Sequence, residues 1–161
     1  RQPVDGYTED FLKDAFDTNV VSAMMLSSMA VPRLEPTHGA IVFIGSTHTR
    51  RAFPGASPYA TTKAALEGLT KVMAAELGPK QIRTGCILPG AVSTELNLRA
   101  GLFTEEQAKD RYDAVAGLHV LGRIGTGTEV AEGVEYLICA EWVTGVALEV
   151  DGGIGLGASH F

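Results

Sequence analysis

Cysteine is scarce in this sequence, and long apolar runs and basic clusters are absent from it. Cys86 and Cys139 stand apart, without the C-x-x-C spacing of zinc or redox pairs, so reduced thiols in a cytoplasmic protein are expected. The 4 histidines show no metal-ligand spacing, and no metal site is predicted. No apolar run approaches the roughly 18 residues of a membrane span, and no signal-peptide pattern opens the sequence, so no membrane association is expected.

The charge balance argues against a nucleic-acid partner. The net charge is -6 over 161 residues, and no run of lysine and arginine is interleaved with aromatic residues. Apolar residues make up 45% and charged residues 20%, which is typical of a globular protein, and the length suits one domain over residues 1–161. The first residue is Arg1 rather than methionine, from which we expect a processed chain or a fragment.

Apolar periodicity and turn residues predict helices that alternate with strands. The run Ala40–Ile44 is continuously apolar, as in a strand covered on both faces, and Thr104 and Gln107 have the spacing of a capping box. In chain order we predict a helix from Thr8 to about Pro32, a strand over Ala40–Ile44, a helix over Tyr59–Leu77, a strand over Ile82–Leu88, a short helix near Glu105–Ala116, a helix capped by Thr128 and a strand over Ala147–Val150.

This alternation predicts an α/β fold with right-handed crossovers and a parallel sheet of about three strands. Ligands bind beyond the carboxyl ends of the strands in such sheets. Ser46 follows the first predicted strand, and Pro89-Gly90 closes the second. Tyr59 opens the helix that leaves the first loop. We therefore expect these residues to meet at one edge of one sheet.

Tyr59 and Lys63 are four residues apart, which places them on one helix face, one turn from each other. A lysine cation stabilises a phenolate, and a phenol tuned in this way can exchange a proton with an alcohol or carbonyl oxygen. The hydroxyl of Ser46, thirteen residues before the tyrosine, can bond the same oxygen. These side chains form an acid/base site that lacks only a hydride carrier. An isolated Tyr-x-x-x-Lys pair is more often a packed ring beside a solvated charge, so the surrounding residues decide its meaning.

Further motifs along the chain resemble those of the short-chain dehydrogenase/reductase family in its short, classical form. The motifs, in the family's order, are Asn19 in the first helix, Ser46, the Tyr59–Lys63 pair, Pro89-Gly90-Ala91-Val92-Ser93-Thr94, Gly122-Arg123-Ile124-Gly125 and Val150-Asp151-Gly152-Gly153. The resemblance covers nearly the whole chain. It implies a partial Rossmann-type fold, which is a doubly wound parallel sheet with flanking helices.

The resemblance also implies a role for each residue. Tyr59 would exchange the proton, Ser46 would hold the oxygen of a small-molecule alcohol or carbonyl substrate, and Lys63 would also bind the ribose of NAD or NADP. Asn19 would position a water that links the lysine to solvent, which completes the catalytic set. The residues implied to bind the cofactor, besides Tyr59 and Lys63, are Pro89, Gly90, Val92 and Thr94.

Plainer explanations exist for some of these residues. Asn19 suits an ordinary polar position of a helix, Pro89-Gly90 suits a simple turn, and Thr94 suits an N-cap. Thr47 competes with the neighbouring serine as the functional hydroxyl, although the thirteen-residue spacing to the tyrosine favours that serine.

The family's glycine-rich phosphate turn has no counterpart in this sequence. Such a turn joins the first strand to the first helix, where backbone N–H groups meet the pyrophosphate. Gly152–Gly157 follows a strand but precedes no helix, whereas Gly122–Gly127 precedes a helix but follows no strand. We therefore expect roughly the C-terminal two-thirds of a dinucleotide-binding domain, inactive by itself, with Ala40–Ile44 as an apolar sheet edge. The choice between NAD and NADP stays open.

Three functions are compatible with the sequence. The leading hypothesis is an NAD(P)-dependent oxidoreductase that interconverts a secondary alcohol and a ketone, and that forms a homodimer or homotetramer through the helices of residues 8–32 and 59–77. A truncated, non-catalytic protein would act only as an association module, and an epimerase or dehydratase of the extended family branch also carries Tyr-x-x-x-Lys. Substrate contacts are expected from the His48–Ser57 loop and from Glu95–Ala116, a segment typical of a mobile lid and equally of a surface helix.

Overall fold

A computed structural model describes residues 2–94 and 104–158 of the chain. The helices are α1 (Glu9–Phe16), α2 (Ser22–Leu34), α3 (Ser57–Leu77), α4 (Glu105–Ala116) and α5 (Gly127–Cys139). The strands are β1 (Ala40–Ile44), β2 (Arg83–Pro89), β3 (Val92–Ser93), β4 (Gly125–Thr126) and β5 (Val146–Val150). None of the helices in these two ranges combines the length and the apolar character that crossing a membrane requires.

The main sheet has three parallel strands in the order β1-β2-β5. Ala40 of β1 pairs with Arg83 of β2, and Gly85 of β2 pairs with Val146 of β5. Parallel strands joined through helices confirm the predicted partial Rossmann-type sheet. Within the described residues β1 pairs only with β2 and so lies at the sheet edge, as predicted. β3 and β4 form a separate two-stranded parallel pair that the sequence did not predict.

Helices cover both faces of β2, which explains why five consecutive residues of the strand, Thr84 to Leu88, are buried. On one face Cys86 and Leu88 join the main apolar core together with Leu66 of α3. On the other face α5 approaches so closely that a Cβ on Gly85 would lie 2.8 Å from a methyl carbon of Leu137. The central strand therefore carries a glycine where helix and sheet touch.

The long helix predicted from Thr8 to about Pro32 is interrupted in the structure. A π-helical turn over Asp17–Val21 separates α1 from α2. Such turns inside helices are frequently found at functional sites. α2 continues past Pro32 to Leu34, because a proline in the last turn removes one backbone donor without preventing the remaining hydrogen bonds.

The N-terminal caps of the helices agree with the sequence in one case and differ in another. Thr104 caps α4 through the predicted capping box with Gln107. The predicted cap at Thr128 is wrong, because Thr126 caps α5. The hydroxyl of Thr126 accepts from the N–H of Glu129, whose carboxylate accepts from the N–H of Thr126 at 2.8 Å. Two reciprocal hydrogen bonds begin the helix two residues earlier than predicted.

Candidate functional site

A cavity of about 530 Å³ opens at the carboxyl ends of β1 and β2. Its walls come from the segments that follow these strands, from the first turns of α3 and from parts of α4 and α5. Ligand pockets usually measure about 300–1,000 Å³, so this one can hold a small molecule. Of the residues predicted to form the site, those that line the cavity are Ser46, Tyr59, Lys63, Pro89, Gly90, Val92 and Thr94.

Ser46 begins a short 3-10 turn over Thr47–Thr49, where its extended backbone lets the side chain cap the turn. Only 5% of the residue is exposed. Its Oγ accepts a hydrogen bond of 3.2 Å from the backbone N–H of His48 and lies 3.1 Å from Nδ1 of the His48 ring. Thr47 instead donates its hydroxyl proton to the carbonyl oxygen of Pro89 at 3.1 Å. This bond favours Ser46 over Thr47 as the hydroxyl available to a ligand.

Tyr59 and Lys63 lie one turn apart on α3 and both border the cavity. Lys63 Nζ is 5.6 Å from the centre of the Tyr59 ring, and it donates a hydrogen bond of 2.8 Å to the carbonyl oxygen of Ile44. Burial lowers the pKa of the Lys63 ammonium, and an electrostatic interaction with Cys86 partly opposes this shift. Tyr59 is 42% exposed, so its ring is accessible to a ligand.

The ring of His48 contacts both Ser46 and Tyr59, the two residues predicted to act through their hydroxyl groups. Its ring lies 4.5 Å from that of Phe53 and makes an edge-on contact with Tyr59 at 5.2 Å, both measured between ring centres. The sequence indicated His48 only as the first residue of a loop expected to contact substrate. Its placement two residues after Ser46 was the one signal that could have identified the contact.

Gly90 lies where the chain leaves β2 and passes against the end of β5. Its N–H donates to the carbonyl oxygen of Val150 at 3.2 Å. A Cβ on Gly90 would lie 2.8 Å from the carbonyl oxygen of Asp151, closer than side-chain carbons approach backbone oxygen. Only glycine fits this contact, which holds the cavity-lining segment after β2 against β5.

Thr94 is fixed by a tyrosine that the sequence did not single out. The hydroxyl of Tyr112 on α4 accepts from the N–H of Thr94 at 3.2 Å and donates to its carbonyl oxygen at 3.1 Å. Because both residues line the cavity, this pair closes one of its sides. The part of the predicted lid over residues 95–103 lies outside the described residues.

His119 is a second histidine that the sequence did not assign to the site. It is buried, and its Nε2 accepts from the N–H of Ala91 at 3.2 Å. The other ring nitrogen, Nδ1, therefore carries the proton that bonds the carbonyl oxygen of Val115 at 3.0 Å. The ring links the segment after β2 to the end of α4. Across residues 2–94 and 104–158, no group of three or more His, Cys, Asp or Glu residues is arranged to hold a metal ion.

Asn19 lies in the π-helical turn and is not among the residues that line the cavity. Its side-chain amide donates to Oγ1 of Thr62 at 3.3 Å, and that hydroxyl donates to the carbonyl oxygen of Tyr59 at 2.8 Å. Thr62 precedes Lys63 in α3. Asn19 thus contacts the helical turn that joins the tyrosine to the lysine, rather than the cavity itself.

Comparison with known proteins identifies relatives over nearly the whole chain. The family model described as enoyl-(acyl carrier protein) reductase matches residues 1–155. The Mus musculus protein named dehydrogenase/reductase SDR family member 4 is 33% identical over 150 residues, which are 91% of this chain and 52% of the mouse protein. The chain thus spans about half the length of the curated relatives it matches.

Solved structures share the fold. A small-chain dehydrogenase in complex with NADPH is similar with a TM-score of 0.88 at 27% identity, covering 97% of this chain and 68% of that one. A 4-hydroxyisoleucine dehydrogenase complexed with NADH is similar with a TM-score of 0.82 at 32% identity, covering 98% of this chain and 64% of the other. The family match, the sheet topology and these similarities agree. The chain therefore belongs to the short-chain dehydrogenase/reductase family of oxidoreductases.

Proposed function

We propose that the protein carrying this chain is an NAD(P)-dependent oxidoreductase that interconverts a secondary alcohol and a ketone. The proposal rests on one observation: Ser46, Tyr59 and Lys63 line a single cavity at the carboxyl edge of a parallel sheet. Two hydroxyl donors beside a cation suit proton exchange with a substrate oxygen. Membership of an oxidoreductase family supports the same class of reaction.

Each catalytic residue has a distinct role in the proposal. Tyr59 gives its hydroxyl proton to the substrate oxygen during reduction and takes a proton back during oxidation. Lys63, one turn away, supplies the positive charge that stabilises the tyrosine oxygen when the proton has left. Ser46 donates to the same substrate oxygen and stabilises the charge that develops there. Asn19 holds the intervening turn of α3 through Thr62. Its proposed role is to position a water that links the lysine to solvent.

The proposed cofactor is NAD or NADP, which supplies the hydride. The residues of the cavity fit its nicotinamide end, since Lys63 offers a cationic donor and the chain after β2 offers backbone groups beside the apolar Val92. The structural neighbours complexed with NADPH and with NADH support either choice. The residues proposed to bind it are Tyr59, Lys63, Pro89, Gly90, Val92 and Thr94.

The proposed substrate is a small molecule with apolar groups around its carbonyl or alcohol carbon. Phe53 lies on one side of the cavity, and Val115 of α4 and Val130 of α5 lie on others. Apolar walls with a few convergent polar groups favour a substrate that is held by burial and oriented by hydrogen bonds.

We also propose that residues 1–161 form a single structural unit, the C-terminal portion of a Rossmann domain without its glycine-rich dinucleotide motif. Because that motif receives the pyrophosphate, the 161-residue chain by itself is expected to be inactive or nearly so. We place the protein in the cytoplasm, since Cys86 and Cys139 are both free thiols.

A homodimer or homotetramer through the helices of residues 8–32 and 59–77 is part of the proposal. It is supported by apolar side chains of α2 that are exposed in the chain, namely Met24, Met25, Leu26 and Met29. Several exposed apolar side chains on one helix are consistent with a surface that a second subunit covers. The alternative function, an association module without catalysis, would use the same surface. Binding of a nicotinamide nucleotide separates the two, because only the enzyme requires it.

The test is a reductase assay on the whole protein, with NADPH and with NADH, against a panel of apolar ketones and one enoyl thioester. The thioester is included because of the family model that the chain matches. Tyr59→Phe removes only the proposed proton donor and is expected to lower kcat about 10²–10⁴-fold. Tyr136→Phe is the matched control, because Tyr136 is exposed on α5 and does not line the cavity.

Ketone reduction that depends on Tyr59 and not on Tyr136 would support the proposal. Full activity of Tyr59→Phe, or reduction of the thioester with no activity on any ketone, would contradict it. Turnover by the 161-residue chain alone would contradict only the expectation that this chain is inactive in isolation.

A further inference from the structure

The hydroxyl of Ser46 has a restricted set of hydrogen-bond partners. Oγ accepts from the backbone N–H of His48 at 3.2 Å and lies 3.1 Å from Nδ1 of the same residue. A serine hydroxyl has one proton to donate and two lone pairs with which to accept. The backbone N–H takes one lone pair. The direction of the hydroxyl proton therefore depends on the protonation of Nδ1.

The two forms of the His48 ring have opposite consequences for a ligand in the cavity. If Nδ1 carries no proton, it accepts the hydroxyl proton of Ser46, which then points away from the ligand. If Nδ1 carries a proton, the ring donates to Oγ and fills its second lone pair. The hydroxyl proton is then free to point into the cavity.

We infer that His48 is a positioning residue that donates from Nδ1 to Ser46 and so makes the serine a hydrogen-bond donor to the substrate oxygen. This inference rests on the proposed function, since it assigns the direction of a hydroxyl within that site. The neutral ring protonated on Nδ1 and the imidazolium both satisfy it. No acid or base change at His48 is required during the reaction.

The surroundings of His48 hold its ring in the required place. Phe53 packs against the ring at 4.5 Å, and Tyr59 meets it edge-on at 5.2 Å, both between ring centres. The first contact restricts rotation of the ring, and the second keeps it beside the proposed proton donor. The turn over Thr47–Thr49 also fixes the backbone of His48. Phe53, Tyr59 and this turn together therefore hold Nδ1 of His48 next to Oγ of Ser46.

Three substitutions of nearly equal size separate a donor from an acceptor at the Nδ1 position. The side-chain nitrogen of Asn in His48→Asn lies two bonds beyond Cβ, as Nδ1 does, and can donate to Ser46. Ionised Asp in His48→Asp can only accept, and draws the hydroxyl proton away from the substrate. His48→Leu has no polar atom. His38→Asn is the matched control, because His38 lies in the turn before β1, outside the cavity.

We expect kcat of the whole protein to follow the order Asn, then Leu, then Asp. Asp should lower kcat about 10²-fold, the typical cost of losing one donor to a developing oxyanion, with a smaller effect on KM. A merely structural role would not separate Asn from Asp, which have nearly the same size and shape and differ in whether they can donate. Equal kcat values for His48→Asn and His48→Asp would overturn the inference.

A second readout does not require activity. NMR of protein labelled with ¹⁵N-histidine identifies which ring nitrogen carries the proton, with His48→Asn identifying the signal. A proton on Nδ1 near neutral pH is the expected result, and a proton on Nε2 alone would overturn the inference. If the wild type reduces no carbonyl compound, the proposed function fails on the assay, while the NMR result still decides the direction of the Ser46 hydroxyl.

Discussion

Lys63 Nζ donates a hydrogen bond of 2.8 Å to the carbonyl oxygen of Ile44, the last residue of β1. Ile44 lies at the end of an edge strand, so this bond joins α3 to the sheet at the mouth of the cavity. The side chain is partly buried in this position, which lowers the pKa of its ammonium group. The charged form of Lys63 therefore carries a desolvation cost, which disappears when the ammonium group loses its proton at high pH.

The first prediction concerns the pH dependence of stability. Burial lowers the pKa of Lys63 below its ordinary value of 10.5. Between the lowered folded-state pKa and 10.5 the unfolded chain binds more protons than the folded chain, so this group makes stability rise with pH. Lys63→Met removes this contribution. From about pH 8 to about pH 10, the free energy of unfolding should rise more for wild type than for Lys63→Met.

Urea unfolding of both proteins at each pH measures this difference. Lys71→Met, at an exposed position of the same helix, is the matched control for the loss of a lysine. The pKa of Cys86 is raised to about 11, so its thiol stays mostly protonated in the folded protein over this pH range, and its titration in the unfolded chain is common to all three proteins. Parallel stability curves for wild type and Lys63→Met would contradict the prediction.

The second prediction concerns the close approach of the chain at Gly90. Gly90→Ala would place a Cβ 2.8 Å from the carbonyl oxygen of Asp151, and backbone atoms must shift to relieve the clash. We expect a loss of about 1–3 kcal/mol in the free energy of unfolding. Gly68→Ala is the matched control, because Gly68 lies in α3 with nothing within 4 Å of the added Cβ. It should stabilise the protein by roughly 0.5–1 kcal/mol. Equal effects of the two substitutions would refute the steric explanation.

The third prediction concerns the two thiols. Cys86 is fully buried, and burial raises the pKa of its thiol to about 11. At about pH 8, roughly one in a thousand Cys86 side chains is therefore a thiolate, and this thiol should resist alkylation. The exposed thiol of Cys139 should react. Peptide mapping should find the label on Cys139 but not on Cys86 in the folded protein, and on both thiols in denaturant. Rapid labelling of Cys86 in folded wild type or in folded Cys139→Ser would contradict the predicted burial.

The fourth prediction concerns Asn19 and Thr62. The Asn19 amide donates to the Thr62 hydroxyl at 3.3 Å, so the two residues should be energetically coupled. A double-mutant cycle with Asn19→Ala and Thr62→Val should give a coupling of about 0.5–1.5 kcal/mol in the free energy of unfolding. If the effects of the two substitutions on the free energy of unfolding simply add, Asn19 occupies an ordinary polar position, which is the plainer explanation that the sequence left open.

Several parts of the fold could be predicted because their signals are local. Ala40–Ile44 is a strand because a continuously apolar run suits a position covered by helices, and the Thr104–Gln107 spacing predicted the start of α4. The error at Thr128 has a local cause as well. Threonine occurs at both 126 and 128, and only the reciprocal bonds with Glu129 select the first.

In the candidate site, too, the relations that could be predicted are the local ones. The sequence by itself determined that Tyr59 and Lys63 share a helix face and that Ser46 follows a strand, because helix period and strand polarity fix such relations within short stretches of chain.

Only the tertiary structure decided that Tyr112 bonds Thr94, that His119 bonds Ala91 and that the His48 ring contacts Tyr59. The first two contacts join residues 18 and 28 positions apart, and the third needs the loop after β1 to fold back onto α3. No local periodicity encodes such pairs, because they form when separate elements pack and each buried polar group must find a partner.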